Sequence, residues 1–130
     1  MIEALRVTNY ALIDRVNISF TAGLNILTGE TGAGKSILIG ALNLLLGGKA
    51  DTSIVRTGTE ETIVSGIIKI AADSEAAVWL ENHSLSLEDN VLIVRRVVKK
   101  NGRGMSYLQS TPVTLGDLQE LGSLLVDIHG

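Results

Sequence analysis

The sequence predicts an α/β fold with a mixed, partly antiparallel sheet. Apolar and polar residues alternate in the first 20 residues, as they do in half-buried strands. A glycine-rich loop then leads into an apolar, helix-length block that stops at Gly47-Gly48. A β-branched run over 91–98 is followed by Asn101-Gly102, a dipeptide typical of hairpin turns.

The order of the predicted elements is β-β-β-loop-α, followed by a second half rich in strands. Strands are predicted at 2–8, 16–20, 24–28, 62–70, 91–98 and 103–109, with helices at 35–46, 75–83 and from 115 onwards. Ser74 is expected to cap the second helix, and Thr114 with Asp117 resembles a capping box for the third. Pro112 is expected to break the chain. The third helix has one predicted apolar face, made by Leu115, Leu118, Leu121, Leu125 and Ile128.

Composition narrows the possible functions. A chain of 130 residues predicts a single domain. A net charge of −3 gives no overall electrostatic attraction for nucleic acid, and 3% aromatic residues argue against a base-stacking platform. The absence of cysteine excludes disulfides and thiol-ligated metals. The longest apolar stretch, 37–46, is shorter than the roughly 20 residues that a membrane span needs.

The glycine-rich loop has the pattern of a phosphate cradle. The segment 29–36 matches G-x-x-x-x-G-K-[ST] at every fixed position, between a predicted buried strand and a predicted helix. Lys35 would reach the β- and γ-phosphates, and the Ser36 hydroxyl would coordinate Mg²⁺. The predicted nucleotide-binding residues are Gly29, Glu30, Thr31, Gly32, Ala33, Gly34, Lys35, Ser36 and Ile37.

The strands before the loop indicate which class of P-loop protein this is. A small GTPase or nucleoside kinase usually reaches its P-loop on the first strand, whereas this chain places a strand pair in its first 23 residues. The arrangement resembles the ATPase heads of the ABC class, in the branch of the structural-maintenance-of-chromosomes (SMC) proteins. The matching parts are a first strand ending in Asn9-Tyr10, a second strand over 16–20, Gly23 and the loop at 29–36.

Within that branch the sequence is similar to the RecN family of bacterial DNA repair proteins. The run ILTGETGAGKS at 26–36, LLGGKA at 45–50 and VRTG at 55–58 carry the similarity. It continues in order through TPVTL at 111–115 to the end of the chain. One departure is visible: Gln109-Ser110 stands where the family often has an Asn-Gly turn.

The resemblance implies a function for the longer protein. Residues 1–130 would be the N-terminal lobe of an ATPase head, with Lys35 as its catalytic residue and ATP and Mg²⁺ as its cofactors. Two heads would enclose ATP between them, each completed by its own C-terminal half, and hydrolysis would release them during recombinational repair of DNA double-strand breaks. DNA would be a partner, and the location would be the cytoplasm and nucleoid, with no membrane. Because no water-activating carboxylate is recognisable, the chain alone is expected to bind nucleotide weakly at best and not to turn it over.

Several basic and polar residues are weaker candidates. By resemblance, Asn9 would lie beside the adenine or ribose. Arg56, like Lys49, follows the predicted P-loop helix where related heads carry an arginine near the γ-phosphate or DNA. A basic cluster is expected to be a solvated hairpin rather than a phosphate-binding surface, since its members fall on both strand faces; it comprises Arg95, Arg96, Lys99, Lys100 and Arg103.

Three alternatives to a repair ATPase remain open from the residues. The first is a nucleotide-sensing or assembly module without turnover. The second is another SMC-like ATPase. The third is a P-loop kinase acting on a small molecule, against which the strand pair before the loop argues.

Overall fold

One antiparallel sheet with helices against one of its faces makes up the described part of the molecule. The structure, a computed structural model, describes residues 2–20 and 32–127. The strands are β1 (Ile2–Tyr10), β2 (Ile13–Ser19), β3 (Glu61–Lys69), β4 (Val91–Lys99), β5 (Gly104–Leu108) and β6 (Thr111–Val113). The helices are α1 (Gly32–Leu45), α2 (Glu75–Asn82) and α3 (Leu115–Asp127).

The strands lie in the order β2-β1-β3-β4-β5-β6, and every neighbouring pair is antiparallel. The antiparallel part of the predicted sheet is therefore confirmed. The parallel part depends on the predicted strand at 24–28, which lies outside the described residues, as does the start of the glycine-rich loop at 29–31.

The core lies between one face of this sheet and the three helices. Alternate positions of the strands are buried, as the period of two requires, and they form one cluster with apolar residues of all three helices. Its members include Leu5, Val7, Ala41, Leu44, Leu45, Val64, Trp79, Leu92, Val94, Leu118 and Leu121. The opposite face of the sheet exposes Ile67, Ile93 and Met105. Among the described helices, none is long and apolar enough to cross a membrane.

Both predicted helix caps are present. The Ser74 hydroxyl accepts a hydrogen bond from the Ala77 backbone at the start of α2, at 3.1 Å. At α3 the Asp117 backbone donates to the Thr114 hydroxyl at 3.0 Å, and the Thr114 backbone donates back to the Asp117 carboxylate at 3.4 Å. This reciprocal pair is a capping box.

The predicted apolar face of α3 is correct in its centre and wrong at its first member, and its last member, Ile128, lies outside the described residues. Leu118, Leu121 and Leu125 are buried, but Leu115 is 39% exposed. Leu115 is the first residue of the helix, where the chain has only just left β6, so its side chain lies outside the contact with the sheet.

Pro112 does not break the chain as predicted, because it is the middle residue of β6. Among the described strands, β6 is the last of the sheet and pairs on one side only, with β5. A proline lacks the N–H group that a second partner would need, so an edge strand tolerates it.

The two-residue turn between β5 and β6 explains how Gln109-Ser110 replaces the Asn-Gly of the family. Both residues have positive φ, 53° and 69°, which is the backbone of a type I′ hairpin turn. The Gln109 side chain accepts a bond from the Ile93 backbone at 2.7 Å and donates to the Ser86 and Val91 carbonyls at 2.8 and 3.1 Å. These bonds offset the strained conformation at position 109.

Candidate nucleotide-binding site

The second half of the phosphate-binding motif lies at the start of α1. The helix begins at Gly32, three residues before the predicted start at Lys35, and ends at Leu45 just before the predicted Gly47-Gly48 stop. Ser36 is exposed, whereas Ile37 is half-buried. Gly29, Glu30 and Thr31 lie outside the described residues, as do the side chains at 32–35, including that of Lys35. All contacts of the motif with phosphate and Mg²⁺ therefore stay predictions.

The N-terminal end of α1 suits an anion on electrostatic grounds. Its first backbone N–H groups have no acceptor within the helix, and the aligned peptide dipoles give that end about half a positive charge. The first turn of α1 contains no acidic residue that would neutralise this charge. An exposed hydroxyl at Ser36 fits the predicted contact with a metal ion carried by the phosphates.

The middle of α1 packs directly on the end of β1. Ala41, Leu44 and Leu45 are buried against the sheet. The hydroxyl of Tyr10 lies so close to Gly40 that a methyl group on Gly40 would overlap it. Burial raises the pKa of Tyr10, which keeps this hydroxyl protonated.

Arg96 lies at the C-terminal end of α1 and is the clearest correction to the sequence analysis. It is only 5% exposed, not part of a solvated hairpin. Its Nη1 donates to the carbonyl oxygens of Leu44 and Gly48, at 2.8 and 2.9 Å. Burial lowers the pKa of Arg96. A guanidinium nevertheless stays charged in proteins, so Arg96 places a cation at the negative end of the α1 dipole.

The other members of the basic cluster have separate surroundings. Arg95 lies over the Tyr107 ring, 4.4 Å from its centre. The exposed Lys100 pairs with Glu60 at 3.2 Å. The burial of Arg96 could have been predicted from the alternation along β4. Arg96 falls between Val94 and Val98, both buried on the helix-facing side of that strand.

Helix α3 closes the same end of α1. The Gln119 side chain donates to the Gly47 carbonyl at 3.0 Å. Gly122 lies against the Leu46 carbonyl, which a side chain at position 122 would overlap. We call Arg96, Gln119 and Gly122 the α1 C-terminal cluster.

Asn9 and Arg56 are brought together at the turn between β1 and β2. The Asn9 carbonyl accepts bonds from the Arg56 backbone at 3.1 Å and from the Thr62 hydroxyl at 2.6 Å. The Arg56 guanidinium donates to the Leu12 carbonyl at 2.6 Å. Because Tyr10, the last residue of β1, contacts α1, the turn lies beside the helix that follows the motif. The contacts of Asn9 and Arg56 with a nucleotide stay predictions.

A cationic groove lies beside the α1 C-terminal cluster. It has a volume of about 440 Å³, and its basic lining residues are Lys49, Arg96 and Arg103. None of the described residues that line it is acidic.

The described residues thus combine the second half of the predicted phosphate-loop motif, the helix that begins within it and a flanking antiparallel sheet. The AAA domain family model matches residues 4–116, and the chain belongs to that family. Over all 130 residues the chain is 41% identical to the DNA repair protein RecN of Vibrio cholerae and 35% identical to that of Bacillus subtilis. The resemblance to RecN is thus confirmed. The chain spans 23% of the length of each of these relatives.

Solved structures confirm the fold class. An SMC ATPase described for ATP-driven dimerization and DNA-stimulated activation superposes with a TM-score of 0.73 at 18% identity, covering 96% of this chain and 79% of that one. The SMC head domain from Thermotoga maritima gives a TM-score of 0.66 at 19% identity, covering 92% of this chain and 41% of that one. At such identities the likeness shows the fold alone.

Proposed function

We propose that this chain is the ATP-binding lobe of an ATPase that acts in the recombinational repair of DNA double-strand breaks. The observation that carries the proposal is the complete phosphate-loop motif at 29–36, whose second half begins a helix with no acidic residue in its first turn. Membership of the AAA domain family and similarity to RecN over all 130 residues of this chain support the same proposal.

The proposed chemistry is the transfer of the γ-phosphoryl group of ATP to water. The loop amides and the N-terminal end of α1 would hold the phosphates, and Lys35 would neutralise charge on the β- and γ-phosphates. Bound Mg²⁺ would neutralise the charge that develops on those oxygens, and the Ser36 hydroxyl would hold it. Asn9 would lie beside the adenine or ribose, and Arg56 near the γ-phosphate or DNA.

We further propose that two heads engage over ATP and separate on hydrolysis, with DNA as a partner and with each lobe completed by the C-terminal half of its own head. The SMC ATPase that shares this fold is described for ATP-driven dimerization and DNA-stimulated activation, which supports the proposal. Such a protein would work in the cytoplasm, at the nucleoid when bound to DNA.

A nucleotide-binding module without turnover is the second candidate for the isolated chain. Glu30 is the one carboxylate within the motif, and it occupies a variable position of the phosphate loop rather than a recognisable general-base position. We therefore expect the 130-residue chain alone to bind MgATP and to show no hydrolysis above background. Clear turnover by the purified chain would contradict this expectation.

The main test is the substitution Lys35→Ala, with MgATP affinity measured by titration calorimetry. Loss of charged bonds to two phosphates should weaken binding by about 100-fold or more. Lys100→Ala is the matched control, because Lys100 is exposed and pairs with Glu60. Equal affinity of Lys35→Ala and the unsubstituted chain would refute the phosphate assignment.

A further inference from the structure

Arg96 is a buried cation at the end of α1 that is remote from the phosphate motif. The helix has 14 residues, so at 1.5 Å per residue it is about 20 Å long. Arg96 therefore cannot contact a nucleotide held by the opposite end. Burying a charge is costly unless it is well paired, and among the described residues the acceptors of Arg96 are two backbone carbonyls and no carboxylate.

The two acceptors of Arg96 restrain both the position of α1 along its axis and its rotation about that axis. Leu44 belongs to the last turn of α1, and Gly48 lies just beyond the end of the helix. One nitrogen atom, Nη1, bonds to both. A shift of α1 along its axis, or a rotation about it, would lengthen at least one of these bonds.

The strand that carries Arg96 is held on both sides. β4 pairs along its length with β3 and also with β5, and position 96 is in register with Val64 on one side and Ser106 on the other. Arg96 therefore links α1 to an interior strand of the sheet, not to a loop that could follow the movement of the helix.

The phosphate loop leads directly into this helix. Amide-to-phosphate hydrogen bonds depend steeply on distance, and a misplacement of about 1 Å in a binding group can cost up to about 100-fold in rate. Because an α-helix moves as a rigid rod, a displacement at Leu44 reaches the amides at Gly32 almost undiminished.

We propose that Arg96 is a positioning residue for nucleotide binding, setting through the Leu44 and Gly48 carbonyls where the N-terminal amides of α1 meet the phosphates. This inference rests on the proposed function, since it requires that the loop at 29–36 hold a nucleotide. It assigns Arg96 a role beyond stabilising the fold.

The test compares Arg96→Met with Arg95→Met in the 130-residue chain. Methionine keeps much of the apolar stem of arginine and removes the donors. Arg95 is the matched control, because it precedes Arg96 on the same strand but is exposed on the opposite face over Tyr107. At a temperature well below the unfolding midpoint of each variant, we expect Arg96→Met to bind MgATP about tenfold more weakly and Arg95→Met to bind it normally.

Two further measurements separate positioning from simple stabilisation. Inorganic tripolyphosphate with Mg²⁺ should lose affinity for Arg96→Met by the same factor as ATP, because the effect lies in the phosphate contacts. Arg96→Lys, which keeps a charged donor, should recover most of the lost affinity. A folded Arg96→Met variant with normal affinity for both ligands would overturn the proposal, whatever its thermal stability.

The outcomes also separate this inference from the proposed function. If Lys35→Ala does not weaken MgATP binding, the phosphate assignment itself fails. If Lys35→Ala abolishes binding and Arg96→Met leaves it unchanged, only the role of Arg96 fails. Should Arg96→Met not fold, Arg96→Gln is the replacement; we expect about threefold weaker binding, and unchanged affinity would be decisive against the proposal.

Discussion

The two ends of α1 differ in what holds them and in what they can do. The N-terminal end begins within the phosphate motif, with glycines at positions 32 and 34 and an exposed Ser36. The C-terminal end is enclosed by the α1 C-terminal cluster, in which a buried cation, an amide side chain and a glycine contact the backbone at 44–48. One end is suited to bind a ligand, and the other is bound to the rest of the protein.

This difference suggests how the helix after a phosphate loop could place that loop without blocking it. A loop that must admit a polyphosphate cannot be packed against its own protein at that point. The helix that follows it can be packed: Leu38 lies against the core, and the contacts of α1 with Tyr10, Arg96 and Gln119 are made at Gly40 and beyond. We expect substitutions in the C-terminal half of α1 and its neighbours to affect nucleotide affinity without touching the nucleotide.

The largest effect on stability is expected from Gly122→Ala. A methyl group there would overlap the Leu46 carbonyl, which belongs to the backbone and cannot turn aside as a side chain can. Overpacking of this kind should lower the free energy of unfolding by about 2–3 kcal/mol, as measured by urea denaturation. If α3 is forced away from α1, MgATP affinity should fall as well.

Gly116→Ala is the control within the same helix. A methyl group at Gly116 would lie 3.7 Å from the Thr114 hydroxyl oxygen, which is ordinary contact. Alanine also favours a helix over glycine by up to about 1 kcal/mol, so this variant should be at least as stable as the original chain. Equal destabilisation by Gly122→Ala and Gly116→Ala would show that the contact with Leu46 is not what requires glycine.

A smaller effect is expected from Gly40→Ala, in the middle of α1. The new methyl group would overlap the Tyr10 hydroxyl and should cost about 1–2 kcal/mol of unfolding free energy. In a Tyr10→Phe background the hydroxyl is gone, and the nearest remaining ring atom, Cζ, is 3.4 Å from the added carbon. There the same substitution should stabilise the protein by up to about 1 kcal/mol, because alanine is the better helix former.

The sign change between the two backgrounds is the decisive measurement. A double-mutant cycle on positions 10 and 40 should give a coupling energy of about 1–3 kcal/mol. Additive effects would mean that Tyr10 does not set the position of α1. In that case the α1 C-terminal cluster would hold the helix without help from β1.

Most of the regular structure could be predicted from the sequence, because it depends on local signals. Strand alternation, the caps at Ser74 and Thr114 and the stop after Leu45 all act through neighbouring residues, and each is present in the structure. Pro112 was misjudged because its tolerance depends on the edge position of β6, which the sheet order decides and no local pattern reveals.

The sequence predicts the phosphate-binding residues of the candidate site, which stay a prediction, but it does not predict the contacts at the other end of α1. The motif at 29–36 is contiguous, so the sequence shows it directly. The acceptors of Arg96 are 48 and 52 residues away along the chain, and Gln119 reaches Gly47 across 72. The alternation along β4 puts Arg96 on the same face as Val94 and Val98. Only the packing of α1 on that face shows that Arg96 contacts the end of the helix.

The turn at Gln109-Ser110 offers the smallest and most discriminating test, because it lies on the β5–β6 hairpin and the Gln109 side chain bonds to Ile93, Ser86 and Val91, none of which belongs to α1. Both residues have positive φ, which glycine adopts most easily. Ser110→Gly should therefore raise the free energy of unfolding by about 0.5–1 kcal/mol. Gln109→Gly should lower it by about 1–2 kcal/mol instead, since it removes the bonds to Ile93, Ser86 and Val91.

Neither turn variant should alter MgATP affinity when both are measured well below their unfolding midpoints. The two variants change the free energy of unfolding in opposite directions, so together they test whether stability alone controls binding. If MgATP affinity rises in the more stable variant and falls in the less stable one, any loss of folding free energy weakens binding. In that event the effects expected at Gly122 and Arg96 would say nothing about the placement of α1. If MgATP affinity is unchanged in both turn variants but falls in Gly122→Ala, the contacts at the C-terminal end of α1 determine how well the loop at its other end binds phosphate.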